Sequence, residues 1–70
     1  MMPLNLANLD EEVMIRRIGG SQEVRQHLEN LGFVVGGNVT VVTSLGGNII
    51  VNVKESRGAI SEEMARKIMV

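Results

Sequence analysis

The chain has no cysteine, tryptophan or tyrosine, and only one phenylalanine and one histidine among its 70 residues. Without cysteine, disulfides and thiolate metal sites are excluded, which fits a reducing compartment. A single aromatic ring leaves no platform for stacked bases and no aromatic-lined groove for proline-rich peptides. Charge of one sign is missing too. Seven basic and eight acidic residues leave a net charge of −1, so no broad field attracts nucleic acid or anionic lipid. No segment approaches the ~18 apolar residues of a membrane span. The opening MMPLNLANLDEE lacks the basic and long apolar regions of a secretory signal. The expectation is one soluble, cytoplasmic domain over residues 1–70, with no nucleic-acid partner and no membrane insertion. It stands near the lower size limit for folding without a covalent or metal staple.

What is present centres on Asn38 to Lys54, NVTVVTSLGGNIIVNVK. Val39, Val41 and Thr43 alternate with Asn38, Thr40, Val42 and Ser44. After Gly46-Gly47, Ile49, Val51 and Val53 alternate with Asn48, Ile50, Asn52 and Lys54. Period-2 alternation of β-branched residues predicts a half-buried β-hairpin. Both core-facing sets are odd-numbered, so facing residues must sum to an even number. A two-residue Gly46-Gly47 loop pairs Leu45 with Asn48 and fails that test. A three-residue loop, Leu45-Gly46-Gly47, passes it and puts Gly47 at the left-handed position of a G1 bulge. The predicted register sets Thr43 opposite Ile49, Val42 opposite Ile50, Val41 opposite Val51 and Val39 opposite Val53.

Before the hairpin, Leu4, Leu6 and Leu9 belong to an extended lead-in and plug one side of the core. Asn8, Asp10 and Glu11 supply turn chemistry. Glu12 to Ile18 reads as the first strand, with Arg16 and Arg17 on a solvated edge. Ser21 caps a helix from Gln22 to Leu31, in which Val24, Leu28 and Leu31 form one apolar stripe. Gly32 takes the left-handed position after it, and Phe33 is a core plug. After the hairpin, Glu55-Ser56 turns into a short strand, Arg57 to Ile60. Ser61 caps a second helix, with Glu62 and Glu63 in its first turn and Arg66 and Lys67 in its last. Met64, Ala65 and Ile68 face inward, and Ile68-Met69-Val70 is a terminal strand. Five short strands with two short helices predict a mainly β fold, a small SH3-like β-barrel. An open sheet with two helices on one face is the alternative.

Catalysis is not expected. His27 shares a helix face with Glu23, but two ligands do not close a metal site, and a surface helix pair accounts for both. Gly19-Gly20-Ser21 lacks the further glycines and the lysine of a phosphate loop. Ser21, Ser44, Ser56 and Ser61 have no basic partner or elbow motif and suit turns and caps. Glu62 and Glu63 suit dipole compensation better than acid–base work. No cofactor and no metal ligand set is read from the residues.

The succession LENLGFVVGGNVTVV, GGNIIVNVKESRGAI and SEEMARKIMV resembles the FeoA family, accessory proteins of bacterial ferrous-iron uptake. The likeness runs from about Glu12 to Val70. It rests most on Leu31-Gly32-Phe33 leading to Gly36, on Gly46-Gly47, on Ala59-Ile60 and on Ala65 to Val70. The chain departs from the family pattern at Val35, Asn48 and Glu55, and Gly58 stands where a larger residue is usual. The resemblance implies an SH3-like barrel that associates with the cytoplasmic part of FeoB, the membrane iron transporter with a GTP-binding domain. A second implied role is a stand-alone regulatory domain that binds a metalloregulator or a transition-metal ion.

For the partner surface, the residues point to Val42 and Ile50 on the hairpin face opposite the core, with Leu45 at the tip and Val34 and Val35 at the far end of the first arm. Two arrangements are open. The first helix covers Val42 and Ile50 with Val24 and Leu28, as helices commonly do on an apolar sheet face. Otherwise the pair is exposed and, with Leu45, forms an interaction site rimmed by polar residues.

Overall fold

A computed structural model of the protein describes residues 1–70. Strands β1 (Glu12–Met14) and β2 (Arg17–Ile18) precede helix α1 (Gln22–Asn30). Strands β3 (Asn38–Leu45), β4 (Asn48–Val53) and β5 (Ser56–Ser61) follow, then helix α2 (Glu62–Ala65) and strand β6 (Ile68–Met69). Four strands form one antiparallel sheet in the order β1-β3-β4-β5, and β2 pairs with β6 in a separate two-stranded sheet. The fold is mainly β with two helices and SH3-like, but hydrogen bonds do not close it into a barrel.

Both helices begin where their caps predict. The Ser21 hydroxyl accepts from the Val24 N–H at 3.2 Å and the Ser61 hydroxyl from the Met64 N–H at 3.1 Å. Each satisfies one of the amides that a helix start leaves free. α1 ends in a Schellman motif. Gly32 N–H bonds the Glu29 carbonyl and Phe33 N–H the Leu28 carbonyl, with Gly32 at φ +107°. Phe33 and Leu28 are both buried, as the apolar contact of that motif requires. Phe33 is thus a core plug whose position the helix terminus sets.

The core holds Leu4, Ile15, Leu28, Phe33, Val39, Val41, Ile49, Val51, Val53, Ile60, Ala65, Ile68 and Val70. Val39 pairs with Val53 and Val41 with Val51, as parity requires. Near the tip the register differs from expectation. The loop has two residues, Gly46 and Gly47, both at positive φ (57° and 82°), the requirement of a type I′ turn. Leu45 pairs with Asn48, Ser44 with Ile49 and Thr43 with Ile50, and the register shifts between Val41 and Thr43. The surplus residue that parity demands is therefore a bulge at Val42 inside the strand rather than at the turn. Two consecutive glycines can both take the left-handed region, so the tighter turn forms. The bulge falls where the other edge of β3 passes from β1 to the lead-in, whose Asp10 N–H bonds the Val41 carbonyl at 2.8 Å.

The expected strand Glu12 to Ile18 is split. Ile15 exchanges hydrogen bonds with Gly36 and Gly37, both 2.8 Å, while the Arg16 N–H bonds the Met69 carbonyl. The chain turns a corner at Ile15 from one sheet to the other, which buries Ile15 between them. Of the three lead-in leucines only Leu4 is buried. It lies in a 3-10 turn over Leu4–Leu6, while Leu6 and Leu9 are exposed. Leu31 likewise leaves the helix stripe and is 46% exposed. The turn after β4 is Lys54-Glu55, with Lys54 at φ +56°, so β5 begins at Ser56, one residue earlier than predicted. Val70 exchanges hydrogen bonds with Met2 at 2.8 and 2.9 Å, tying the two ends of the chain together.

Candidate partner-binding surface

In the four-stranded sheet the side chains facing away from the core fall into cross-strand rows. One row is Thr40, Asn52 and Arg57, the next Thr43, Ile50 and Ala59, and the last Leu45, Asn48 and Ser61. The first row is polar, with the Arg57 Nε donating to Asn52 Oδ1 at 3.2 Å. The second is apolar at its centre and right. Val42, in the bulge, is half-buried beside it. Ile50 faces Thr43, not Val42, because the bulge moves the pairing by one residue.

α1 does not cover this face. Leu28 is enclosed in the core and Val24 packs against its margin, close to Gly20 and the Lys67 side chain. Val42 and Ile50 are outside that core. Neither arrangement open to the sequence is met in full: α1 lies elsewhere, yet Val42 and Ile50 are half-buried rather than exposed. Leu45 is 70% exposed on a tip that is anchored, since the Gly47 carbonyl accepts from the Glu62 N–H at 2.9 Å. An apolar side chain presented on a pinned turn is pre-organised for contact.

Leu45, Ile50 and Val42 therefore share one surface, and Val34 and Val35 do not join it. Those two precede β3, whose eight residues at about 3.3 Å each place Leu45 at the other end of the module. Val34 is half-buried and Val35 is 64% exposed. They line an open groove beside α1 with Ile18, Gln22, Arg25 and Phe33. Sequence reasoning overlooked Ala59, which extends the Ile50 row. Alternation from Ile60 alone would have put it on the outer face.

His27 and Glu23 are exposed on α1, and no third His, Cys, Asp or Glu joins them. Calorimetry with zinc or ferrous ion under reducing conditions is expected to give no stoichiometric binding tighter than about the millimolar range, roughly −4 kcal/mol. Micromolar affinity that vanishes in His27→Ala would contradict this. No helix is long and apolar enough to cross a membrane.

The fold and the outer face define a small, mainly β, SH3-like module with an apolar strip on one sheet face and an anchored hairpin tip. Its family follows from comparison with known proteins: the FeoA domain model matches residues 2–70, and the chain belongs to the FeoA family. A protein of Methanocaldococcus jannaschii provisionally named Fe(2+) transport protein A is 34% identical over 70 residues, covering 100% of this chain and 85% of the relative. The crystal structure of an iron uptake regulatory protein, FeoA, superimposes with a TM-score of 0.88 at 29% identity, covering 97% of this chain and 90% of that one. The solution structure of FeoA from Chlorobium tepidum gives 0.85 at 24% identity, over 97% of this chain and 67% of that one. At that identity the likeness speaks for the fold alone.

Proposed function

We propose that this protein is a cytoplasmic, non-catalytic adaptor of ferrous-iron uptake that binds the cytoplasmic part of a FeoB-type transporter. Family membership supports the iron-transport setting. The observation that carries the contact is Leu45, exposed on a turn that the Glu62 amide holds in place. Val42 and Ile50 extend that contact along the outer face, and Thr40, Asn52, Arg57, Asn48 and Ser61 supply a polar rim. Val34 and Val35, in the groove beside α1, are a second contact for a partner that reaches across the module.

Leu45→Ser tests the reading. A loop-tip residue outside the core contributes little to stability, so the thermal midpoint should stay within about 0.5 kcal/mol of the parent in stability terms. Binding to the transporter's cytoplasmic domain should weaken about tenfold or more, since an exposed apolar anchor at an interface is worth on the order of 1–2 kcal/mol. An NMR titration locates the contact. If the transporter domain binds while Leu45 to Ile50 keep their shifts, the surface lies elsewhere. If it does not bind at all, the adaptor role fails.

A further inference from the structure

β5 is an edge strand. The backbone of Ser56–Ser61 is hydrogen-bonded only to β4, and its other side meets no backbone or side-chain partner. Such a row of free N–H and C=O groups is a template for another strand unless lysine, proline or a bulge blunts it. β5 has none of these. Its one charged residue, Arg57, is bonded to Asn52 on the β4 side.

Beside this edge is a small apolar pocket of about 90 Å³, lined by Leu31, Phe33, Val53, Gly58, Ala59 and Ile60. Gly58 opens it. That residue stands opposite Val51, on the core-facing side of β5, and a Cβ built there meets nothing within 4 Å. The pocket holds about as much as three waters, each taking roughly 30 Å³ of liquid volume. That is room for one aliphatic side chain.

We propose that β5 takes up an extended segment of another protein as an added strand, and that the residue opposite Gly58 places a Val, Ile or Leu side chain in this pocket. Backbone pairing supplies affinity and the pocket supplies selectivity, as in other strand-addition sites. Register arithmetic selects a different protein over a second copy of this one. Residues directly opposite in antiparallel strands put their side chains on the same face. In a symmetric β5–β5 pair, Gly58 would face Gly58, Ser56 or Ile60 of the second copy. Glycine has no side chain and serine is polar. Ile60 is buried in its own core. None of them fills the pocket. The site rests on the edge and the pocket alone and stands apart from the iron-transport reading.

The full chain, labelled for NMR, is titrated with the capped peptide Ac-KTTITTK-NH2 and with the same peptide carrying Lys at its centre. Binding of the Ile peptide should move the amides of Arg57 to Ile60 and the methyls of Leu31, Val53 and Ile60, and should slow β5 amide exchange. The Lys peptide should bind at least tenfold more weakly. Gly58→Leu fills the pocket from within. It should cost at least tenfold in Ile-peptide affinity while the thermal midpoint holds or rises by about 4 °C. Leu31→Ser, at the exposed lip of the pocket, should weaken the peptide about threefold and guards against a Gly58→Leu chain that does not fold. The proposal is overturned if millimolar Ile peptide leaves β5 unmoved, if the Lys peptide binds equally well, or if both variants bind like the parent. Concentration-dependent protection of β5 amides without peptide would assign the edge to a second copy and overturn it as well.

Discussion

Val41→Asp is expected to abolish the cooperative thermal transition of this protein. Val41 is 4% exposed and paired with Val51, which is fully buried. Burying a valine contributes about 1.5–3 kcal/mol, and the whole domain has only about 0.05–0.15 kcal/mol per residue to spare. Aspartate would remove that term and add a carboxylate with no partner, since the core contains no polar side chain and an uncompensated charge costs more still. Circular dichroism on heating checks it. A transition at the parent's temperature would mean that the aspartate reaches water and that the Val41–Val51 register is wrong.

Gly32→Val should lower stability by about 2–3 kcal/mol, a fall of about 10–20 °C in the thermal midpoint for a chain of this size. At φ +107° a β-branched side chain is strained whatever space surrounds it. The Cβ would also lie 3.5 Å from the Val53 side chain, ordinary contact for one atom but not for the two methyls beyond it. Relief of the strain means opening the Schellman bonds to Glu29 and Leu28 and loosening Phe33. Denaturant midpoints of Gly32→Val and Gly58→Val make the comparison, because Gly58 has open space and no positive φ. Equal midpoints would refute it. Gly37 is a poorer control. A Cβ there comes within 3.1 Å of both the Val34 carbonyl and its side chain, so Gly37→Val costs stability for a steric reason of its own.

The two predictions rest on different kinds of legibility. Gly32, Ser21 and Ser61 could be placed from the sequence because a cap is decided by atoms within about one helical turn. The chain needs no distant partner to bond the Val24 N–H to Ser21. Val41 against Val51 was equally readable. Both arms of the hairpin carry their buried valines, Val39, Val41, Val51 and Val53, on odd positions, and any odd shift would turn one whole set to water. The likeness to the FeoA family, carried by the same glycines and apolar positions, was also legible.

Parity showed that one surplus residue had to exist but not where it would go. A bulge at the turn and a bulge at Val42 both keep Val41 facing Val51. Only the tertiary structure chose, through a type I′ turn that both glycines permit and through the change of neighbour along β3 where Asp10 takes the Val41 carbonyl. The break at Ile15 has the same origin. Its alternation reads as one strand, yet its hydrogen bonds go to Gly36 and Gly37 while those of Arg16 go to Met69, a partition set by segments far off in sequence. Leu4, Leu6 and Leu9 are chemically alike, and only packing buries the first and exposes the others. The candidate surfaces divide similarly. Alternation placed Ile50 on the outer face, but whether α1 would cover it, and how far Val34 and Val35 lie from Leu45, depended on the path of the chain through the corner and the helix. The helix caps and the Val41–Val51 register were set by residue order, while the site of the hairpin's bulge was not. What acts between segments distant in sequence was set by the single close packing that encloses Phe33, Ile15 and Leu28 together, because a dense core admits few arrangements and residue order does not say which.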